Sequence, residues 1–323
     1  MKVDIELGRE LLYLGSADVE ACALTLAEVE AAVEAMFLQK ATGTAAMKPK
    51  LSLHAQGGTV FLGSAGVLSE PARGGIKWVG VADNEPSGLP HIAGLVLLAD
   101  AATGMPVAVM DARWITGVRT AAISAVAARR LARPDSTTIG FVACGLQART
   151  HLEALRPHFP LARVKAYSRR RSTAEAFANE VRALGLAAEA VDEPQAAVAD
   201  CDIVITSTPV VPRTPPFLDA GWLAPGSFSS MVDLGVSWHS EPLRALDRVV
   251  TDDVTQAGSE KLVYPEPYDG EIADLVAGSR PGRERAEERT ALVFAGIGLA
   301  DVAVAAAVEH RARERGLGRR LPL

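Results

Sequence analysis

Cysteine is scarce in this chain: three residues in 323, Cys22, Cys144 and Cys201. They are far apart and show no metal-ligand spacing. That excludes a disulfide framework and a cysteine-built zinc site, so no metal is expected and a reduced, cytoplasmic setting is. Positive charge is not in excess either. A net charge of −6 argues against a broad nucleic-acid surface. Basic clusters remain at Arg169-Arg170-Arg171 and over 311–320, and the second reads as the solvated end of a C-terminal helix. Long apolar runs are missing. The longest, residues 291–308, is interrupted by Asp301 and rich in Ala and Gly, so it reads as a buried or dimer-facing helix and not a membrane span. The opening Met-Lys-Val-Asp-Ile-Glu lacks a signal-peptide pattern, and there is no internal repeat. What the chain does have is length for two domains and 49% hydrophobic residues, much of that alanine.

The most informative stretch is 139–152, Ile-Gly-Phe-Val-Ala-Cys-Gly-Leu-Gln-Ala-Arg-Thr-His-Leu. It reads as a buried strand, a tight turn and the start of a helix, where a nucleotide pyrophosphate is usually held. The spacing matches G-x-G-x-x-(G/A), with Ala143 in place of the first glycine. An alanine-rich helix precedes it, ending near Arg133-Pro134. Further strands are expected over 163–168, 202–208, 226–234 and 248–252, with a helix over 172–184. Apolar runs alternating with helical patterns imply a parallel α/β sheet. Cys144-Gly145, Ser168, Ser207 and Asp233 then fall near the carboxyl ends of strands, where such sheets hold ligands.

Residues before about 118 have a different texture. An amphipathic helix is expected over 17–39, with Thr25 to Glu28 resembling a capping box. Short strands are expected over 51–53, 60–62, 76–81, 91–98 and 106–110, joined by turns, so this region reads as an antiparallel or mixed sheet. The expected division is a substrate-binding and dimerisation domain of α+β type, residues 1–118 and 290–323, around a Rossmann domain at 119–289.

Several stretches together resemble the ornithine cyclodeaminase/mu-crystallin family: Gly75-Ile76-Lys77-Trp78-Val79, Gly88-Leu89-Pro90-His91, Ala108-Val109-Met110-Asp111-Ala112, Ile115-Thr116-Gly117-Val118-Arg119-Thr120-Ala121-Ala122, the turn from Gly145 to His151, and Gly296-Ile297-Gly298-Leu299-Ala300-Asp301. The resemblance implies a Rossmann domain plus a substrate domain, usually in a homodimer, and hydride transfer between a nicotinamide and the α-carbon of an amino or imino acid. It places Arg119 and Lys77 on the family's substrate-carboxylate positions. Guanidinium suits a carboxylate because it binds bidentately, and a lysine inside an apolar strand needs an anionic partner. Lys50 falls where a third substrate arginine is common, Arg73 would supplement it for a second carboxylate, and His91 falls close to cofactor or substrate. Ala143, Gly145, Leu146 and Gln147, with Thr120, Ser168, Arg169, Thr206, Ser207 and Val232, are the expected cofactor contacts.

The acid/base position departs from the ornithine cyclodeaminases. Gly235 stands where they carry aspartate, and Asp233 lies two residues earlier, about 6–7 Å away along a strand. Asp233 is a candidate proton donor or a residue fixing the loop. Cyclodeamination needs more proton handling than reduction of an iminium. The reading is therefore an imino-acid reductase of ketimine or iminosuccinate type, or its reverse, an amino-acid dehydrogenase. Ornithine cyclodeaminase and a non-catalytic, mu-crystallin-like NADPH- and ligand-binding protein are the alternatives. The second strand ends Tyr167-Ser168-Arg169-Arg170-Arg171 without an acid to hold a ribose diol, so NADP(H) is expected over NAD(H).

Overall fold

The computed structural model describes residues 5–84, 87–210, 215–260, 262, 264 and 267–323. Residues 1–4, part of the stretch read for a signal peptide, lie outside that set. In chain order the elements are β1 (Glu10–Leu14), α1 (Ser16–Ala21), α2 (Leu26–Ala41), β2 (Ala45–Met47), β3 (Leu51–His54), β4 (Val60–Leu68), β5 (Arg73–Val81), β6 (Ile92–Asp100), β7 (Pro106–Asp111) and α3 (Arg113–Leu131). They continue with β8 (Thr138–Val142), α4 (Leu146–Leu155), β9 (Arg163–Tyr167), α5 (Arg171–Ala183), β10 (Ala187–Ala190), α6 (Pro194–Val198), β11 (Ile203–Thr206), β12 (Phe228–Met231) and β13 (Arg248–Thr251). Last come α7 (Val254–Glu260), β14 (Gly270–Glu271), α8 (Ile272–Ala277), β15 (Thr290–Val293), α9 (Gly298–Arg315) and β16 (Arg319–Pro322).

The chain forms two compact units, Met1–Arg119 with Ile297–Leu323, and Thr120–Gly296. The C-terminal return thus starts at 297, not at 290. The reason is β15, which pairs in parallel with β12 and β13 inside the second sheet. The apolar run 291–308 is accordingly two elements, a strand and a helix, separated by Gly296 at a φ of 85°.

The first unit carries a mixed sheet in the order β16-β1-β7-β6-β5-β4-β2, with β3 also on β4. The helix expected over 17–39 is two. Thr25 caps the second: its hydroxyl accepts from the Glu28 N–H, and the Glu28 carboxylate accepts from the Thr25 N–H at 2.8 Å. That capping box marks a helix start, not an interior. Alternate residues of β5 and β6 point to opposite faces. Lys77, Val79, Val96 and Leu98 are buried on the inner face, whereas Trp78, Leu95 and Leu97 are exposed on the outer one. Helix α9 covers the inner face at close range, because glycines meet it. A Cβ at Gly66 would lie 2.8 Å from Leu299 Cδ2, and one at Gly298 would lie 2.8 Å from Ala65 N.

The second unit is a parallel sheet in the order β10-β9-β8-β11-β12-β15-β13-β14. Strands β8, β11, β12 and β15 are buried along their whole length, as expected where helices cover both faces of a parallel sheet. The order reverses around β8, which lies between β9 and β11. A ligand crevice is expected at such a switch point, beyond the strands' carboxyl ends.

Candidate active site

Each unit holds a buried polar cluster that bears on the expected site. In the first unit, Lys77 lies on the inner face of β5, Arg119 on α3 and Asp301 in the first turn of α9. Lys77 is 5% exposed, Arg119 9% and Asp301 1%. A single oxygen of Asp301 meets both cations: Lys77 Nζ donates to Oδ1 at 2.9 Å, and Arg119 Nε lies 3.0 Å from the same atom. The Arg119 contact is Coulombic, since its Nε–H has no hydrogen-bond acceptor among the described residues. Thr116 Oγ1 lies 3.5 Å from Lys77 Nζ. Burial, with the charges of Arg119 and Lys50, lowers the Lys77 pKa to about 8, and Asp301 opposes that shift. A helix N-terminus favours an acid such as Asp301. A buried charge without hydrogen bonds is costly, so a guanidinium held by charge alone is a ready receptor for a planar anion.

Lys50 lies between β2 and β3, half-buried and within Coulombic reach of Lys77. Arg73 is not part of this group. Its guanidinium lies 3.3 Å from Glu309 and 3.6 Å from Asp100. Four residues of strand separate it from Lys77, roughly 13 Å. Those two acids meet the guanidinium that the sequence reading offered to a second substrate carboxylate. His91 is half-buried just before β6, and its carbonyl accepts from the Ala82 N–H.

In the second unit the residues expected to meet a dinucleotide include Ala143, Ser168, Ser207 and Val232, which follow the carboxyl ends of β8, β9, β11 and β12. Ala143 follows β8 with a φ of 74°, a left-handed conformation that suits glycine better. Gly145 is the N-cap of α4, and a Cβ there would meet nothing within 4 Å. Gln147 Oε1 is buried without a partner. An open backbone turn and a helix N-terminus fit a pyrophosphate, which the backbone N–H groups of Gly145, Leu146 and Gln147 would hold. Behind the turn, His151 Nδ1 bonds the Gln147 carbonyl at 2.7 Å and Nε2 lies 2.8 Å from Ser124 Oγ. Burial lowers the His151 pKa to about 4, so the ring is neutral and structural. Ser168 is half-buried after β9, and Arg169 is exposed without an acid partner among the described residues. Arg171, by contrast, pairs with Glu175 and Asp192. Ser207 Oγ lies 3.5 Å from the Ala143 carbonyl, Val232 N–H donates to the Thr206 carbonyl, and Thr120 is buried on α3.

Two sequence expectations change here. Thr206 is fully buried, its hydroxyl donating to Asp233 Oδ1 at 2.9 Å and accepting from Trp238 Nε1 at 3.3 Å. Its one hydroxyl proton is committed to Asp233. Asp233 is 2% exposed and saturated. Besides Thr206, its Oδ2 accepts from Ser237 Oγ at 2.6 Å, Thr208 Oγ1 at 3.0 Å and Thr208 N–H at 3.3 Å. Burial raises the pKa of this carboxyl, and those hydroxyls oppose the rise. Leu234 and Gly235, at φ of 60° and 73°, turn the chain directly after it. Asp233 thus ties the ends of β11 and β12 to a strained loop, and its carboxylate is buried among these donors.

The residue the sequence left without a role is Asp301. Its signal was there, one acid in residues 298–308 of α9, which are otherwise Gly, Ala, Leu and Val, facing a strand that buries a lysine. Among the described residues no group of His, Cys, Asp and Glu could hold a metal ion, and no helix is long and apolar enough to cross a membrane.

A parallel sheet in Rossmann order with an open turn and helix N-terminus at its switch point defines a dinucleotide-binding protein. The chain belongs to the ornithine cyclodeaminase/mu-crystallin family, whose sequence model matches residues 12–316. It is 32% identical to the alanine dehydrogenase of Archaeoglobus fulgidus over 97% of this chain and 98% of that one. Among solved structures it resembles the Δ1-pyrroline-2-carboxylate reductase of Thermococcus litoralis in complex with NADH and L-proline. That match has a TM-score of 0.87 and 27% identity, over 96% of this chain and 99% of the other. An archaeal alanine dehydrogenase dimer with bound NAD matches at TM-score 0.85 and 31% identity, over 97% and 99%.

Proposed function

We propose that the protein is an NAD(P)H-dependent reductase of a small 2-imino acid with one carboxylate, or the amino-acid dehydrogenase running in reverse. The observation that carries this is the Arg119 guanidinium, buried beside Asp301 yet without a hydrogen bond among the described residues. Its donors suit a carboxylate, and Lys77 adds a second cation. The commitment of Arg73 to Glu309 and Asp100 favours a monocarboxylate over an iminosuccinate-like substrate. The bound dinucleotide supplies or accepts the hydride. The chain's own residues bind the carboxylate, orient the C=N bond and, through the Lys77 ammonium, hold positive charge near it. A saturated Asp233 weighs against cyclodeamination, which needs an acid/base group for several proton transfers. The names of the relatives point the same way.

For the cofactor we favour NADP(H). No acid follows β9, and Arg169 stands exposed to meet a 2′-phosphate. A homodimer is supported by the outer face of the first unit's sheet, where Leu51, Leu53, Val67, Trp78, Leu95 and Leu97 are exposed together. Helix α9 is buried within its own unit. The test is oxidation of NADPH in the presence of 2-imino acids, cyclic or formed from a keto acid with ammonia, with light scattering for the mass. NADPH bound without oxidation by any of them overturns the reductase reading in favour of a binding role. A monomer at micromolar concentration overturns the dimer.

A further inference from the structure

We propose that Asp301 is the positioning residue of the carboxylate clamp: by holding Lys77 and Arg119 on one of its oxygens, it fixes their separation and balances one of their two charges. The proposal rests on the reductase reading and deepens it.

The geometry is specific. Lys77 comes from a strand, Arg119 from one helix and Asp301 from another, and the two cationic atoms lie 2.9 and 3.0 Å from the same Asp301 oxygen. Two buried cations this close repel, and in a low-dielectric interior they would separate or lose a proton without an anion between them. Asp301 prevents both. It reaches them only because Gly66 and Gly298 let α9 lie almost on the sheet backbone. The Lys77 contact is a hydrogen bond, but the Arg119 contact is not. Asp301 thus fixes the guanidinium in place while leaving its donors for a ligand. Arg73 differs, since one of its guanidinium nitrogens donates to Glu309.

The charged and polar groups facing Lys77 are Arg119 and Thr116 from α3, Asp301 from α9, and Lys50 from the β2–β3 segment. Asp301 is the acid in this set. Neutralising it leaves three cations together, and Lys77 must then lose its proton at lower pH.

The experiment compares wild type with Asp301→Asn, which keeps the shape and removes the charge. The first readout needs no substrate: a lysine side-chain NMR titration of the whole protein, with Lys77→Arg to assign the signal. The Lys77 midpoint is expected near pH 8 in wild type and lower by about one pH unit or more in Asp301→Asn. The second is the pH profile of kcat/KM for imine reduction. Its alkaline limb should move down by the same amount, with KM raised about tenfold or more and NADPH binding within about twofold. An unchanged midpoint and an unchanged KM, with only a lower Tm, would overturn the proposal and leave Asp301 a structural ion-pair partner. If Asp301→Asn does not fold, Lys77→Met is compared with the charge-balanced double variant Lys77→Met/Asp301→Asn. A further rise in the KM or Kd of the carboxylate ligand supports the proposal, and equal values overturn it. Absence of turnover in wild type with the NMR shift present would sink the reductase reading alone.

Discussion

The buried polar clusters around Asp233 and Asp301 are built on opposite terms. Around Asp233, every oxygen of a buried carboxylate is met by a hydroxyl or a backbone N–H, and the residues supplying them lie on the strand ends and turn that it anchors. Around Asp301, one oxygen faces two cations, and the guanidinium among them makes no hydrogen bond to the described residues. A saturated network rigidifies its surroundings and has no capacity left for a ligand. An unsaturated buried cation is unfavourable until something arrives to complete it. Burial and charge alone would rank the two clusters equally; counting uncommitted donors separates the supporting cluster from the one built to bind.

That contrast breaks first, and most visibly, at Arg119. Arg119→Lys keeps the charge and loses the planar fork, so kcat/KM for imine reduction should fall about 10³-fold with NADPH affinity within about twofold, as read by steady-state kinetics and fluorescence titration. Lys77→Ala should fall similarly. Lys77→Arg sharpens the point. With Lys77 titrating near pH 8, wild-type kcat/KM should decline as the pH rises through that value, because the ammonium is lost. The arginine variant should show no such limb, whatever its absolute rate. On the other side of the comparison, Asp233→Asn should act on stability, costing about 1–3 kcal/mol as measured by denaturant unfolding. Its kcat should stay within a few-fold; a loss of several orders of magnitude would make Asp233 a proton donor after all. A smaller effect is expected at the cofactor edge, where Arg169→Ala should weaken NADPH about tenfold more than NADH, since one exposed charge-assisted contact is removed. The smallest belongs to the left-handed Ala143. Ala143→Gly relieves its backbone, and stability should change by no more than about 1 kcal/mol, most of it as a gain.

Much of the fold was legible in the sequence because its signals are local. The buried strands β8, β11 and β13 and the turn at Gly145 stand out as apolar runs and glycine spacing, and the Thr25–Glu28 capping box marks a helix start. What was misread depended on long-range pairing. The run 291–308 has helical composition throughout, yet Thr290–Val293 is a strand because β12 and β13 offer it a parallel slot on each side. Strand β1 was not visible, since its pairing with β7 and β16 joins residues from both ends of the chain.

The site divided in the same way. Lys77 and Arg119 were legible as cations in apolar surroundings, and the need of Lys77 for an anionic partner was clear. The identity of that partner was not, because Asp301 is separated from Lys77 by most of the chain and is brought to it by close packing at Gly66 and Gly298. The partners of Arg73 and Asp233 were hidden for a related reason. Sequence shows that a charged group is present but not that Glu309, Asp100, Thr206, Thr208 and Ser237 already complete it.

The central claim is that the uncommitted donors of Arg119 receive the substrate carboxylate. The most direct test is a crystal structure with the dinucleotide and the amino-acid product both bound. The product carboxylate is expected within hydrogen-bonding distance of the Arg119 guanidinium and the Lys77 ammonium, with Asp301 still holding both and Asp233 still bonded to its hydroxyls. A carboxylate bound elsewhere, with Arg119 making no contact to it, would contradict the account.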